Sequence, residues 1–99
     1  MTELTNDYLI KHGFETNHPN RVLCHFYKTN NKNPEWRINI EQEYFPLSNR
    51  LVYNINCWRC DEKGAIIKRS SVDYINTVEE LNAVVSLCGI DDSSSTKLF

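Results

Sequence analysis

The sequence predicts an α+β domain: a four-stranded antiparallel meander with an N-terminal and a C-terminal helix on one face, in the order α-β-β-β-β-α. Three observations carry this. Apolar residues recur with a period of two in four stretches between positions 21 and 71. The links between those stretches have hairpin length and are rich in turn formers. A stretch of helical period, punctuated at its ends, stands on either side of them. Residues 1–90 read as a single α+β domain and 91–99 (Asp-Asp-Ser-Ser-Ser-Thr-Lys-Leu-Phe) as a flexible C-terminal tail.

Thr5 is a good N-cap, with Leu4 and Leu9 at the spacing of a hydrophobic staple, and Asp7 suits the first-turn dipole. Gly13 supplies the left-handed residue that ends a helix over Asn6–His12, and Phe14 folds back on Leu9. Glu15 to Asn20, which includes His18, reads as a turn. Arg21 to Thr29 is a strand with Val22, Cys24 and Phe26 inward and Leu23, His25 and Tyr27 outward. After an Asn-rich hairpin loop, Glu35 to Gln42 alternates Trp36, Ile38 and Ile40 against Arg37, Asn39 and Glu41. Glu43 to Asn49 is the next link, its Phe45 and Leu47 placed to cover a core edge.

Arg50 to Cys60 sets Leu51, Tyr53, Ile55 and Cys57 on the inner face and Asn54, Asn56 and Trp58 on the outer one. Asp61-Glu-Lys-Gly64 fits a type I turn closed by a left-handed glycine. The returning strand, Ala65 to Ser71, is expected to bring Ile67 beside Cys57 inside and Ile66 beside Trp58 outside. Thr77 and Glu80 form a capping box, and Leu81, Val84, Val85 and Cys88 make the core stripe of the last helix. Gly89 and Ile90 repeat the Gly13–Phe14 ending.

Eleven basic against thirteen acidic side chains leave a formal charge of −2, too near neutral for a phosphate track. No apolar run reaches the roughly 18 residues of a membrane helix. The opening Met1-Thr-Glu-Leu-Thr-Asn-Asp has neither a basic n-region nor an apolar h-region, so the expected compartment is the cytoplasm. There the four cysteines stay reduced, with Cys24, Cys57 and Cys88 inward and only Cys60 outward. An enclosed site of about 300 Å³ would cost roughly 7 kcal/mol, comparable with the whole stability of a small domain. Function is therefore expected on a surface.

The Cys57-Trp-Arg-Cys60 string is spaced like a zinc or redox motif, but residues i and i+3 of a strand point to opposite faces and no second pair exists. No metal and no cofactor are expected. Cys60 and His25 are the one Cys/His combination on a common face, with a strand between them in meander order. Glu35, Glu41 and Glu43 could mimic a carboxylate pair but read as solvated edge charges. With only Gly13, Gly64 and Gly89, the chain has no phosphate loop. No enzyme is expected.

What remains is the outer face: Tyr27, His25, Arg37, Asn54, Asn56 and Trp58, with Ile66 alongside. Tyr, Trp and Arg are the side chains enriched at interface hot spots. The alternatives are an outer layer of aromatics that merely shields the backbone, a docking surface for protein, and a surface for single-stranded nucleic acid served by Arg37, Arg59, Lys68 and Arg69. Glu41, Asp61 and Glu62 dilute the positive field, so a protein partner is favoured over nucleic acid. A homodimer through sheet faces or edge strands is a further possibility.

The runs Leu4-Thr-Asn-Asp-Tyr-Leu-Ile-Lys-His-Gly-Phe14, Trp36-x-Ile-x-Ile40 and Ile75-x-x-Val-x-x-Leu81 resemble those of small uncharacterised phage and prophage proteins from Bacteroidota and low-GC bacteria. Asn76-Thr-Val-Glu-Glu80 departs from the His-containing helix start common in that group. Twelve asparagines fit an AT-rich genome. The resemblance carries no catalytic residue. It implies a mobile-element accessory protein whose partner is a host protein, for example a nucleoprotein defence complex such as CRISPR-Cas.

Overall fold

The alternating stretches do pair as an antiparallel ladder, with one strand more than expected. The computed structural model describes residues 2–16, 24–30 and 35–90. Helix α1 (Asn6–Lys11) precedes β1 (Glu15–Thr16), β2 (His25–Asn30), β3 (Trp36–Phe45), β4 (Arg50–Cys60) and β5 (Ile66–Ile75), and α2 (Val78–Leu87) follows. The five strands lie in sequence order, each antiparallel to the next. The four-stranded expectation is corrected by β1, which falls in the stretch read as a turn and pairs Glu15 with Tyr27 and Thr16 with Phe26. Two residues offer no period to detect. They pair because the helix ending aims the chain back along β2. Inward Val22, outward Leu23, the turn residue His18 and the 91–99 tail lie outside the described residues.

Both helix ends follow their local chemistry. Thr5 Oγ1 accepts from the Tyr8 N–H, and Phe14 N–H donates to Leu9 O at 3.0 Å past Gly13, whose φ is 87°. At α2 the Thr77 hydroxyl and Glu80 carboxylate form the reciprocal capping box, and Ile90 N–H returns to Val85 O past Gly89 at φ 73°. Each C-terminus also receives a cation from the sheet: Lys28 Nζ donates to His12 O at 2.7 Å, and Arg59 Nη1 to Gly89 O at 3.1 Å. These charges sit on carbonyls that have no helical donor, where the dipole is negative.

One sheet face and both helices share a single core. Phe26, Ile38, Ile40, Tyr53 and Ile55 meet Leu4, Leu9 and Phe14 from the first helical segment and Leu81, Val84, Val85 and Ile90 from the second. Gln42 is buried among them, although it reads as a polar strand end. Its Oε1 accepts from Cys24 N–H at 2.7 Å, while its Nε2 donates to Asn6 Oδ1 and, at 3.4 Å, to the Tyr53 hydroxyl. Tyr53 in turn donates to Asn6 Oδ1 at 2.8 Å, so the start of α1 is tied to β3 and β4. Burial pushes the Tyr53 hydroxyl pKa above its ordinary value.

Several expected positions move. The Asp61–Gly64 turn forms as expected, with Gly64 N–H on Asp61 O at 3.1 Å and Asp61 N–H on Ala65 O at 2.8 Å. The ladder closes at Cys60–Ile66, two positions on from the expected register, and a bulge at Ile67 adds a third, so Ser70 rather than Ile67 lies opposite Cys57 and Arg69 rather than Ile66 lies opposite Trp58. Ile67 is consequently 49% exposed. Leu51 is exposed where it was expected inside, and its neighbour Val52 on the opposite face is buried to 1%. Phe45 of β3 and Tyr74 of β5 explain the inversion. Their strands are two spacings apart, about 9.6 Å, yet their ring centroids approach to 5.6 Å. The two rings therefore arch over β4 at Val52. Phe45 ends β3 instead of belonging to a link, and Leu47 is fully exposed rather than covering a core edge.

Leu81→Ala, at a fully buried position, is expected to lower unfolding free energy by about 3 kcal/mol. Leu87→Ala, one helix face away and 74% exposed, is expected to stay within about 0.5 kcal/mol by the same urea titration. Gln42→Met strips partners from the Cys24 N–H and the Tyr53 hydroxyl, with an expected loss of about 1–3 kcal/mol in that titration.

Candidate functional site

Strand registers set the outer face out as rows across the sheet. One row runs Thr29, Arg37, Trp58, Arg69; the next runs Tyr27, Asn39, Asn56, Ser71; the third holds His25, Glu41 and Asn54. Six of the seven expected site residues thus fall in three adjacent rows. Ile66 stands apart, one row beyond Trp58 beside Cys60. Trp58 is half-buried between two guanidinium-bearing neighbours, Arg37 on β3 and Arg69 on β5. Arg37 also lies over the Tyr27 ring, its Cζ 5.9 Å from the centroid, and its Nε donates to Asn39 Oδ1 at 3.2 Å. That bond uses one of the five N–H groups of the guanidinium fork.

Below this row the face dips into a depression of about 440 Å³, lined by His25, Arg37, Asn39, Glu41, Asn54, Asn56, Ser71 and Asp73. The His25 ring stands 6.3 Å from that of Tyr27, and its buried Nε2 has no hydrogen-bond partner among the described residues. Asn54 is held on both sides: its Nδ2 donates to Glu43 Oε2 at 3.1 Å, and its Oδ1 accepts from Tyr74 N–H at 3.0 Å. Tyr74 takes φ 64° at a second bulge in β5, between the Ile55–Val72 and Tyr53–Ile75 pairs. A hydrogen bond to the Glu15 carboxylate, and then its charge, raise the Tyr27 hydroxyl pKa. The face therefore has a cationic aromatic side toward Trp58 and a mixed, carboxylate-bearing side toward His25.

The thiols fall on both sides of the sheet. Cys57 and Cys88 meet in the core, where Cys57 Sγ donates to Ser70 O at 3.6 Å and Cys88 Sγ to Lys68 O at 3.6 Å. Burial, reinforced by Cys88, pushes the Cys57 thiol from 9.0 up to about 12. Cys60 is on the outer side of β4, as expected, but is only 4% exposed. Burial and the nearby Glu35 and Asp61 carboxylates raise its pKa. Cys57 and Cys60 thus cannot share a ligand from one side, and no group of three or more metal-ligating side chains converges among the described residues. Cys60 and His25 are also kept apart: the row of His25 meets β4 at Asn54, six residues or about 20 Å from Cys60.

Comparison with protein-family models, with curated proteins and with solved structures finds no match. Among the described residues, no helix is long and apolar enough to cross a membrane.

The Cys57 thiol makes stability depend on alkaline pH. Above 9.0 the unfolded thiol loses its proton while the folded one keeps it up to about 12. The unfolded state then binds fewer protons, so stability is full below 9.0 and falls by about 1.4 kcal/mol per pH unit above it. Urea denaturation over a pH series is expected to show this slope in the wild type and to show it reduced in Cys57→Ala.

Proposed function

We propose that this chain is a small non-enzymatic protein-binding module that acts by stoichiometric contact through the outer face of its sheet. The observation that carries the reading is the Arg37–Trp58–Arg69 row, with Tyr27 beneath Arg37, on a face that neither helix covers. A half-buried indole between two guanidiniums suits a partner that presents an apolar side chain next to carboxylates. Guanidinium forks bind carboxylates bidentately, and interface hot spots are enriched in Trp, Tyr and Arg. His25 Nε2 in the neighbouring depression, without a hydrogen-bond partner among the described residues, offers one further polar anchor.

Two arrangements support the absence of catalysis. The most nucleophilic side chains, the cysteines at 24, 57, 60 and 88, are all buried. Among the described residues, the one Cys/His combination on the outer face is separated by about 20 Å. Single-stranded nucleic acid would also stack on Trp58, but Glu41, Glu43 and Asp73 oppose a phosphate backbone on this face. The resemblance to phage and prophage proteins favours a specific form of the reading, inhibition of a host defence system such as CRISPR-Cas.

The experiment is capture of a partner from nuclease-treated host lysate by the wild type, by Tyr27→Ala/Trp58→Ala and by Arg37→Glu. Circular dichroism establishes that each variant is folded. One stoichiometric protein is expected with the wild type, bound at least about thirtyfold more weakly by the double variant. Recovery that nuclease abolishes, or a partner retained equally by all three chains, overturns the proposal.

A further inference from the structure

We infer that β5 is the interface of a two-fold homodimer in which two sheets join edge to edge through residues 69–73. Among the described residues β5 has β4 on one side and no strand on the other, and every residue from Ile66 to Tyr74 except Ser70 is exposed. Such an edge presents a row of unpaired backbone donors and acceptors. An antiparallel two-fold stands normal to the sheet and leaves each face on its own side, so a residue meets only residues of its own face.

On β5 the outer-face residues are Arg69 and Ser71, opposite Trp58 and Asn56, followed by Asp73, which lines the outer depression. Placing the axis at Ser71 sets Arg69 of one copy against Asp73 of the other, twice. It also sets Ser70 against Val72 on the inner face. Shifting the axis to Arg69 opposes like charges, and shifting it to Ser70 or Val72 leaves Arg69 without an acid across the strand. Opposite charges directly across a strand pair are favourable and like charges unfavourable. The strand is thus self-complementary in one register.

The bulges at Ile67 and at Asp73–Tyr74 close that register at both ends, because regular pairing stops where an extra residue intrudes. Charges and bulges commonly protect an edge against indiscriminate pairing. In this strand they select a single partner, a second copy of the chain. The inference does not rest on the docking-face reading, because its readout is the mass of the purified protein alone.

Sedimentation equilibrium from micromolar to millimolar concentration is the test. The wild type is expected to move from monomer to dimer, and R69E and D73R are each expected to weaken dimerisation about tenfold or more. Mixing R69E with D73R is expected to give a heterodimer. In that pair the two introduced side chains face each other with opposite charge, and the native Asp73 of one copy still meets the native Arg69 of the other. Both substitutions are at exposed positions, and a cooperative melt confirms folding. A wild type that is monomeric at millimolar concentration, single variants that dimerise as well as the wild type, or a mixture that stays monomeric overturns the proposal.

Discussion

Ten consecutive β3–β4 pairs, from Trp36–Arg59 to Phe45–Arg50, hold Ile38, Ile40, Ile55 and Cys57 on one side of the sheet, and the rest of the fold depends on that side staying dry. Neither helix could stand without it. Helix α1 has six residues and α2 ten, both shorter than the roughly 12–15 residues at which isolated helices become even marginal. Their stability is borrowed from the buried faces of Leu9 and of Leu81, Val84 and Val85. Because the outermost turns cannot satisfy their own carbonyls, Lys28 and Arg59 reach up from the same sheet face to do so. The cations have their aliphatic stems against the core and their charge at its margin, an arrangement that long basic side chains allow.

A sheet dressed on one side leaves its reverse to be filled by other means. At one end Phe45 and Tyr74 close over Val52 as a small second cluster, and at the other Cys60 is shielded beside Glu35 and Ile66. Between them the described residues leave the face polar and open. There the Arg37–Trp58–Arg69 row and the His25 depression sit side by side. The same bulge that turns Tyr74 across β4 places its N–H on Asn54, so the floor of the depression and the irregularity of β5 belong to one arrangement. An edge strand and the outer depression are thus shaped by the same irregular strand.

Much of this was legible along the chain. Strict alternation in 36–40 and 53–57 identified the inner face, and the caps at Thr5 and Thr77, with the glycines at 13 and 89, bounded both helices. The outward placement of His25, Tyr27, Arg37, Asn54, Asn56 and Trp58 followed from the same period, and their gathering in three rows needed only the meander order. Gln42 was missed although it continues the inward series 36, 38, 40. Its signal was overridden by its polarity, which burial tolerates because Cys24, Asn6 and Tyr53 satisfy it. Leu51 and Val52 were exchanged because alternation says which residues share a face, not how far along that face the helices extend.

Local chemistry in the sequence therefore determined the helix ends, the Asp61–Gly64 turn and the two-sidedness of the central strands, since each depends on side chains within a few positions of one another. The fifth strand, the register that puts Arg69 rather than Ile66 beside Trp58, the arch over Val52 and the tether at Gln42 were decided only by the assembled sheet. Each of these balances backbone pairing against contacts between residues distant in sequence, and no window along the chain contains both sides of that balance.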